Sequence, residues 1–200
     1  MKKDRLVYLT KISILAVVSA LIMLLEFPLP FAPSFYKLDL SEIVVLIAGF
    51  ALGPLAGILT ELVKILLNLL FNGTTTVFVG EISNFVIGVS FVLPASLIYQ
   101  WRKSFKGALL GMIIGTVSLT IIGSAFNYFV LIPFYAKALF PMDAIIAMSS
   151  KVNPNIDGLL TLVLFATVPF NLVKGVVCSV AALLVYKRVS PILHKDFKNN

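Results

Sequence analysis

Apolar runs about twenty residues long recur along this chain, at 6–27, 40–71, 81–101, 107–131 and 159–186. Such a run is long enough to cross the hydrocarbon core of a bilayer as an α-helix. In that core only helices and closed barrels satisfy their own backbone polar groups. Composition excludes the alternative of a water-soluble globule. The 200 residues are 60% hydrophobic and 12% charged, against about 45–50% apolar and about 25% charged in soluble domains. A fold of this size leaves too much surface exposed to hide that apolar excess from water. The expected fold class is therefore an all-α membrane protein, a single transmembrane domain over 1–200 with the lipid bilayer as its surroundings.

Punctuation divides the runs into six spans. Pro28, Pro30 and Pro33 stop the first after Phe27, since proline removes a backbone donor and disfavours helix in the residue before it. The run at 40–71 is too long for one span and breaks at Gly53-Pro54. The turn chemistry of Asn72-Gly73-Thr74 closes it. The expected spans are 6–27, 41–52, 54–71, 81–101, 107–131 and 159–186, with 41–52 short enough to be tilted or incomplete. Residues 133–157 read as a loop carrying a short interfacial helix near 144–149. Phe31, Phe35 and Tyr36 read as interfacial aromatics. The first run exceeds a signal-peptide core of about 7–15 residues and no small-residue cleavage site closes it, so it reads as a retained span.

Charge orients this bundle. With the N-terminus cytoplasmic, eleven of the sixteen Lys and Arg fall on the cytoplasmic side, including Lys2, Lys3, Arg5, Arg102, Lys103, Lys187, Arg188, Lys195 and Lys198. Only Lys37, Lys137 and Lys151 fall on the other. This bias follows the positive-inside rule and puts both termini in the cytoplasm. It also accounts for the net charge of +7 without nucleic acid as a partner.

Several chemistries are excluded. One cysteine, Cys178, allows no intramolecular disulfide, and one histidine, His194, lies in the polar tail. No Cys/His metal site can form within the chain, and no histidine is placed to activate a serine or threonine at bilayer depth. There is no phosphate-binding Gly-Lys-Ser/Thr loop, so the chain cannot use ATP by itself. These absences argue against an intramembrane enzyme and predict neither cofactor nor resident metal.

Polar side chains inside spans are costly and mark sites by default. In this chain they are Glu42, Glu61, Lys64, Asn68, Glu81, Asn84, Asn127, Asn171 and Lys174. Asn171 and Lys174 share a helix face at i, i+3, just after Pro169. They suit either a ligand or a buried Lys–carboxylate pair with an interhelical amide bond. Glu61 and Lys64 have the same spacing and read foremost as an ion pair. Asn127, Asn84, Asp39 and Glu42 fall toward the outward half of the bundle. An amide offers an acceptor and two donors, so these positions suit a planar ligand with amide-like edges. A purely structural membrane protein would not need so many of them.

The residues that carry these readings resemble a known family. They are Ala16-x-x-x-Ala20, Tyr36-x-Leu38-Asp39-Leu40-Ser41-Glu42, Gly53-Pro54-Leu55-Ala56-Gly57, Asn84-Phe85, Asn127-Tyr128-Phe129-Val130-Leu131 and Pro169-Phe170-Asn171-x-x-Lys174-Gly175. Together they resemble the substrate-binding S components of energy-coupling-factor (ECF) vitamin transporters, and within these the riboflavin-binding branch. The resemblance implies a six-helix bundle in a prokaryotic plasma membrane, with riboflavin as transported ligand near the outer surface under the first loop. It implies that Asn127, Asn171 and Lys174 hold the polar edge of the flavin ring and that Leu38 contributes backbone contacts. Asp39, Glu42 and Asn84 would face the ribityl hydroxyls. Ala16 and Ala20 would meet a transmembrane coupling subunit, and two partner ATPases would supply the energy. Two other ligands compete with riboflavin. Thiamine is cationic, and Lys174 beside Asn171 argues against it. FMN would need a further cation at the pocket mouth, which Lys37 could supply.

Overall fold

In a computed structural model, residues 2–194 are described, with side-chain surroundings for 4–185. Of the basic residues invoked above, Lys195 and Lys198 lie outside the described residues, and the side chains of Lys2, Lys3, Lys187, Arg188 and His194 are likewise not described.

Helix α1 runs over Lys2–Met23. It stops four residues short of the expected boundary, because the chain turns at Leu24-Leu25 and extends into Pro28, which disfavours helix in the residue before it. A two-residue strand β1 (Phe27–Pro28) pairs antiparallel with β2 (Lys37–Leu38), Phe27 opposite Leu38. This short ladder folds residues 29–36 back over the bundle. Tyr36 is consequently buried, not interfacial, while Phe31 stays exposed.

Helix α2 (Glu42–Leu52) has eleven residues, a rise of about 16 Å, roughly half a hydrocarbon core. Val44 to Phe50 are all buried, so it is a core element wrapped by its neighbours. Gly53 at φ 108° turns the chain, and Pro54 starts α3 (Pro54–Asn72). Helix α4 is Val79–Trp101 and α5 is Phe105–Phe126. The two lie backbone to backbone. A Cβ at Gly115 would come 2.7 Å from the Phe91 carbonyl, and one at Gly111 would meet the Ala95 carbonyl. Gly111 and Gly115, one turn apart, thus permit this close approach.

Helix α5 continues through a wide π turn, Asn127–Leu131, into α6 (Ile132–Ala138), seven residues beyond the expected end. After the short α7 (Met142–Ser150) comes α8 (Leu159–Leu162), a second π turn at Val163–Thr167, and α9 (Val168–His194). Both π turns end two residues before a proline, Pro133 and Pro169. Proline has no N–H and its ring collides with the carbonyl four residues back. Widening the preceding turn relieves that clash without breaking the helix.

Among the described residues, five helical stretches are long and apolar enough to cross a bilayer: Asp4–Met23, Pro54–Asn72, Val79–Trp101, Phe105–Ala138 and Leu159–Val185. Their outward stripes, such as Leu62, Leu66 and Leu70 on α3 or Ile113, Val117 and Ile121 on α5, are exposed apolar side chains. In water that surface would be unfavourable; in lipid it is the ordinary arrangement. The chain is an integral membrane protein.

Two apolar clusters fill the interior. One joins Val45, Leu46 and Phe50 of α2 to Phe91, Met112, Leu119 and Cys178. The other joins Ala32, Tyr36 and Leu38 of the first loop to Ile132, Ile145, Leu162 and Phe170. The polar groups described next lie between these clusters and along their edges.

Candidate functional site

One face of α9 and its preceding π turn carries Thr167, Asn171, Lys174 and Cys178, spaced at helical intervals, and all are buried. Lys174 Nζ donates to Asp39 Oδ2 at 3.0 Å. Asp39 lies in the loop between β2 and α2. Its other oxygen accepts from the Ser41 N–H at 3.0 Å and from the Ser41 hydroxyl. The Ser41 carbonyl accepts from Ser19 of α1 at 2.9 Å. Burial alone would raise the Asp39 pKa. The Lys174 ammonium, helped by Lys64 and by Ser41, outweighs it and holds the carboxyl below the usual carboxylate range. The expected partner of Lys174 on another element is thus a loop carboxylate, and Asp39 is engaged with protein.

The two predicted amides meet at Gly123, one turn before Asn127. Asn127 Nδ2 donates to the Gly123 carbonyl at 2.8 Å. A Cβ on Gly123 would come 2.7 Å from Asn171 Nδ2. That nitrogen is buried without a hydrogen-bond partner. An unserved buried N–H₂ is costly and marks a place where something else can bind.

Tyr36, expected at the interface, closes this group. Its hydroxyl donates to Asn127 Oδ1 at 2.9 Å and lies 2.7 Å from Thr167 Oγ1. A phenol has one proton, and that proton goes to Asn127, so the Thr167 hydroxyl is the donor in the second bond. Burial raises the Tyr36 pKa, so the hydroxyl keeps its proton. The ring stacks on Phe170, centroids 5.3 Å apart and planes 25° from parallel. Asn127 opens the first π turn and Thr167 closes the second, so Tyr36 ties the two wide turns together. Thr167 carries no signal in an apolar sequence, whereas Tyr36 belongs to a motif of the resemblance and the two prolines mark the wide turns.

A second polar group sits deeper. Lys64 of α3 donates to Glu42 Oε1 of α2 at 2.9 Å and lies 2.6 Å from Glu61 Oε2, the expected i, i+3 pair. The other Glu61 oxygen, Oε1, is buried without a hydrogen-bond partner. The Glu42 carboxylate, expected near a ligand, is held by Lys64. Asn84 lies one turn before Gly88 on the same face of α4; a Cβ on Gly88 would meet the Glu61 carboxylate. Asn84 is exposed, unlike the other predicted residues. Leu38 is buried in β2. Asn68 accepts from Asn72, and Glu81 from Thr76, each at 2.9 Å.

One expectation needs correction. Ala16 and Ala20 are completely buried within the chain. Their small side chains let α1 pack closely on its neighbours, so they do not offer a free surface to a partner. The exposed face of α1 is made by Ile14, Val17, Val18 and Leu21. No group of three or more His, Cys, Asp and Glu able to hold a metal occurs among the described residues.

An apolar bundle enclosing buried amides and a paired lysine is an integral membrane protein with a polar interior. Comparison with known proteins makes the class specific. Residues 7–186 match the family described as ECF transporter, substrate-specific component, and the chain belongs to that family. It is 38% identical over 187 residues to "Riboflavin transporter RibU" of Staphylococcus aureus (strain TCH60), covering 94% of this chain and 92% of that one. It is 34% identical to "Riboflavin transporter FmnP" of Bacillus subtilis (strain 168), with 94% of each covered. Its fold is similar to a solved structure described as "Structure and mechanism of the S component of a bacterial ECF transporter". There the TM-score is 0.73 at 35% identity, over 96% of this chain and 99% of that one. The chain is a transporter's substrate-specific component, not an enzyme.

Proposed function

We propose that this chain captures riboflavin from outside the cell for uptake driven by partner subunits. The observation that carries the reading is the meeting of Asn127 and Asn171 at Gly123, with one amide nitrogen unserved. The flavin ring presents an N–H flanked by two carbonyls, and paired amides are its natural complement. Lys174, held by Asp39, supplies a further donor to a ring carbonyl, and Leu38 backbone contacts close the first loop over the ligand. Asn84, exposed on α4, is left for the ribityl hydroxyls. Asp39 and Glu42 act through the lysines they hold. The names of the similar proteins support the same vitamin.

The proposal includes six spans, with the buried α2 as the short one, and both termini in the cytoplasm of a prokaryotic cell. The distribution of Lys and Arg supports that orientation. Delivery falls to a transmembrane coupling subunit and two ATPases. FMN is disfavoured, because Lys37, the cation available for a phosphate, lies beside Glu26 as an ion pair. The test is uptake of labelled riboflavin by cells that lack their own transporter, with this chain and its coupling module expressed together. Uptake that needs both, and ATP, is expected. Uptake that is independent of this chain contradicts the proposal.

A further inference from the structure

We infer that Tyr36 is a built-in stand-in for the ligand, displaced when riboflavin binds; the inference rests on the flavin reading above. Tyr36 places on Phe170 what a flavin would place there, a flat ring stacked at 5.3 Å. Its edge makes the bonds a flavin edge would make, one to Asn127 Oδ1 at 2.9 Å and one with Thr167 at 2.7 Å. The mimicry is incomplete at one point: Asn171 Nδ2 stays without a partner. Tyr36 has an oxygen for two neighbours but no second acceptor for the third. A ring with carbonyls on both sides of an N–H serves all three, which gives the ligand its advantage.

Two facts separate a stand-in from a permanent support. The Asn127 amide is already oriented by its own bond to the Gly123 carbonyl at 2.8 Å, so Tyr36 is not needed to aim it. Tyr36 also comes from the first loop, which the two-residue β1–β2 ladder folds on itself, whereas Asn127, Thr167 and Phe170 sit on the helical scaffold. The loop, not the helical scaffold, carries the replaceable ring. In the ligand-free state the plug satisfies polar groups that would otherwise be buried unpaired. Its removal is a cost that lowers apparent affinity in proportion to the plugged population.

The experiment is a riboflavin titration by flavin fluorescence on the full-length protein and its Tyr36→Phe variant, with thermal melts of both. Phenylalanine keeps the ring stack, so the fold is retained, and removes only the competing hydroxyl. One net hydrogen bond corresponds to about a two- to tenfold change in an equilibrium constant. Tyr36→Phe is therefore expected to bind riboflavin about two- to tenfold more tightly, through faster association. Its ligand-free melting temperature falls while the riboflavin-saturated one does not. Unchanged or weaker binding in Tyr36→Phe, with the parent binding normally, overturns the stand-in and leaves the flavin reading intact. Failure of the parent to bind riboflavin overturns both.

Discussion

Lys174 of α9 and Asp39 of the first loop meet at 3.0 Å inside the bundle, 135 residues apart in sequence. The pair fastens the loop that covers the amides to the helix that carries one of them. Ligand site and loop closure therefore share one electrostatic contact, and disturbing it should affect both.

Asp39→Asn removes the carboxylate and leaves an uncompensated ammonium, a change that costs about 3–5 kcal/mol for a buried pair. The acid dependence follows from the lowered Asp39 pKa. This contribution is complete above the unfolded carboxyl's value of about 3.9 and fades as pH falls below it. Thermal melts in detergent between about pH 3 and pH 7 should show this acid limb in the parent and a flatter one in Asp39→Asn.

Gly123→Ala tests the meeting point of the amides. The added methyl would stand 2.7 Å from Asn171 Nδ2 and push that side chain aside. Alanine is otherwise favoured over glycine in a helix by about 0.5–1 kcal/mol. Riboflavin affinity should fall about tenfold or more while the melting temperature changes little. A titration beside a melt separates the two effects.

Lys64 is the cation shared by Glu42 and Glu61 in the core. Lys64→Met alone should cost about 3–5 kcal/mol by stranding two carboxylates. Adding Glu42→Gln and Glu61→Gln should restore most of that stability. Melting temperatures of the single and triple variants check the point; equal losses in both would show that packing, not charge, is at stake.

Pro169→Ala addresses the second π turn, Val163–Thr167. With an N–H restored, the helix can return to ordinary α geometry, which shifts Thr167 relative to Asn171. The variant should be at least as stable as the parent and bind riboflavin about tenfold more weakly. Unaltered binding would mean that the wide turn is incidental to the site.

Much of this arrangement is legible in the sequence, for identifiable reasons. Apolar length marks the spans, and intolerance of lipid for amides and charges marks Asn127, Asn171 and Lys174 as buried. The spacing of Glu61 and Lys64 marks their pair. Other parts are hidden. Asp39 and Tyr36 are marked by the motif they share, but they lie in a loop, and their burial depends on a two-residue ladder that no periodicity announces. Ala16 and Ala20 mislead because a small-residue stripe permits close packing without saying against what. Continuation of α5 to Ala138 is masked by Pro133, which reads as a helix stop where the turn before it widens to carry the helix on.

Riboflavin capture by the buried amides and Lys174 is tested most directly by binding to the detergent-purified protein, followed by flavin fluorescence quenching, with Asn171→Ala and Lys174→Ala alongside. Saturable quenching in the parent, weakened at least tenfold in each variant that still folds, is the predicted result. No quenching by folded, ligand-free parent protein, or undiminished affinity in both variants, would contradict it.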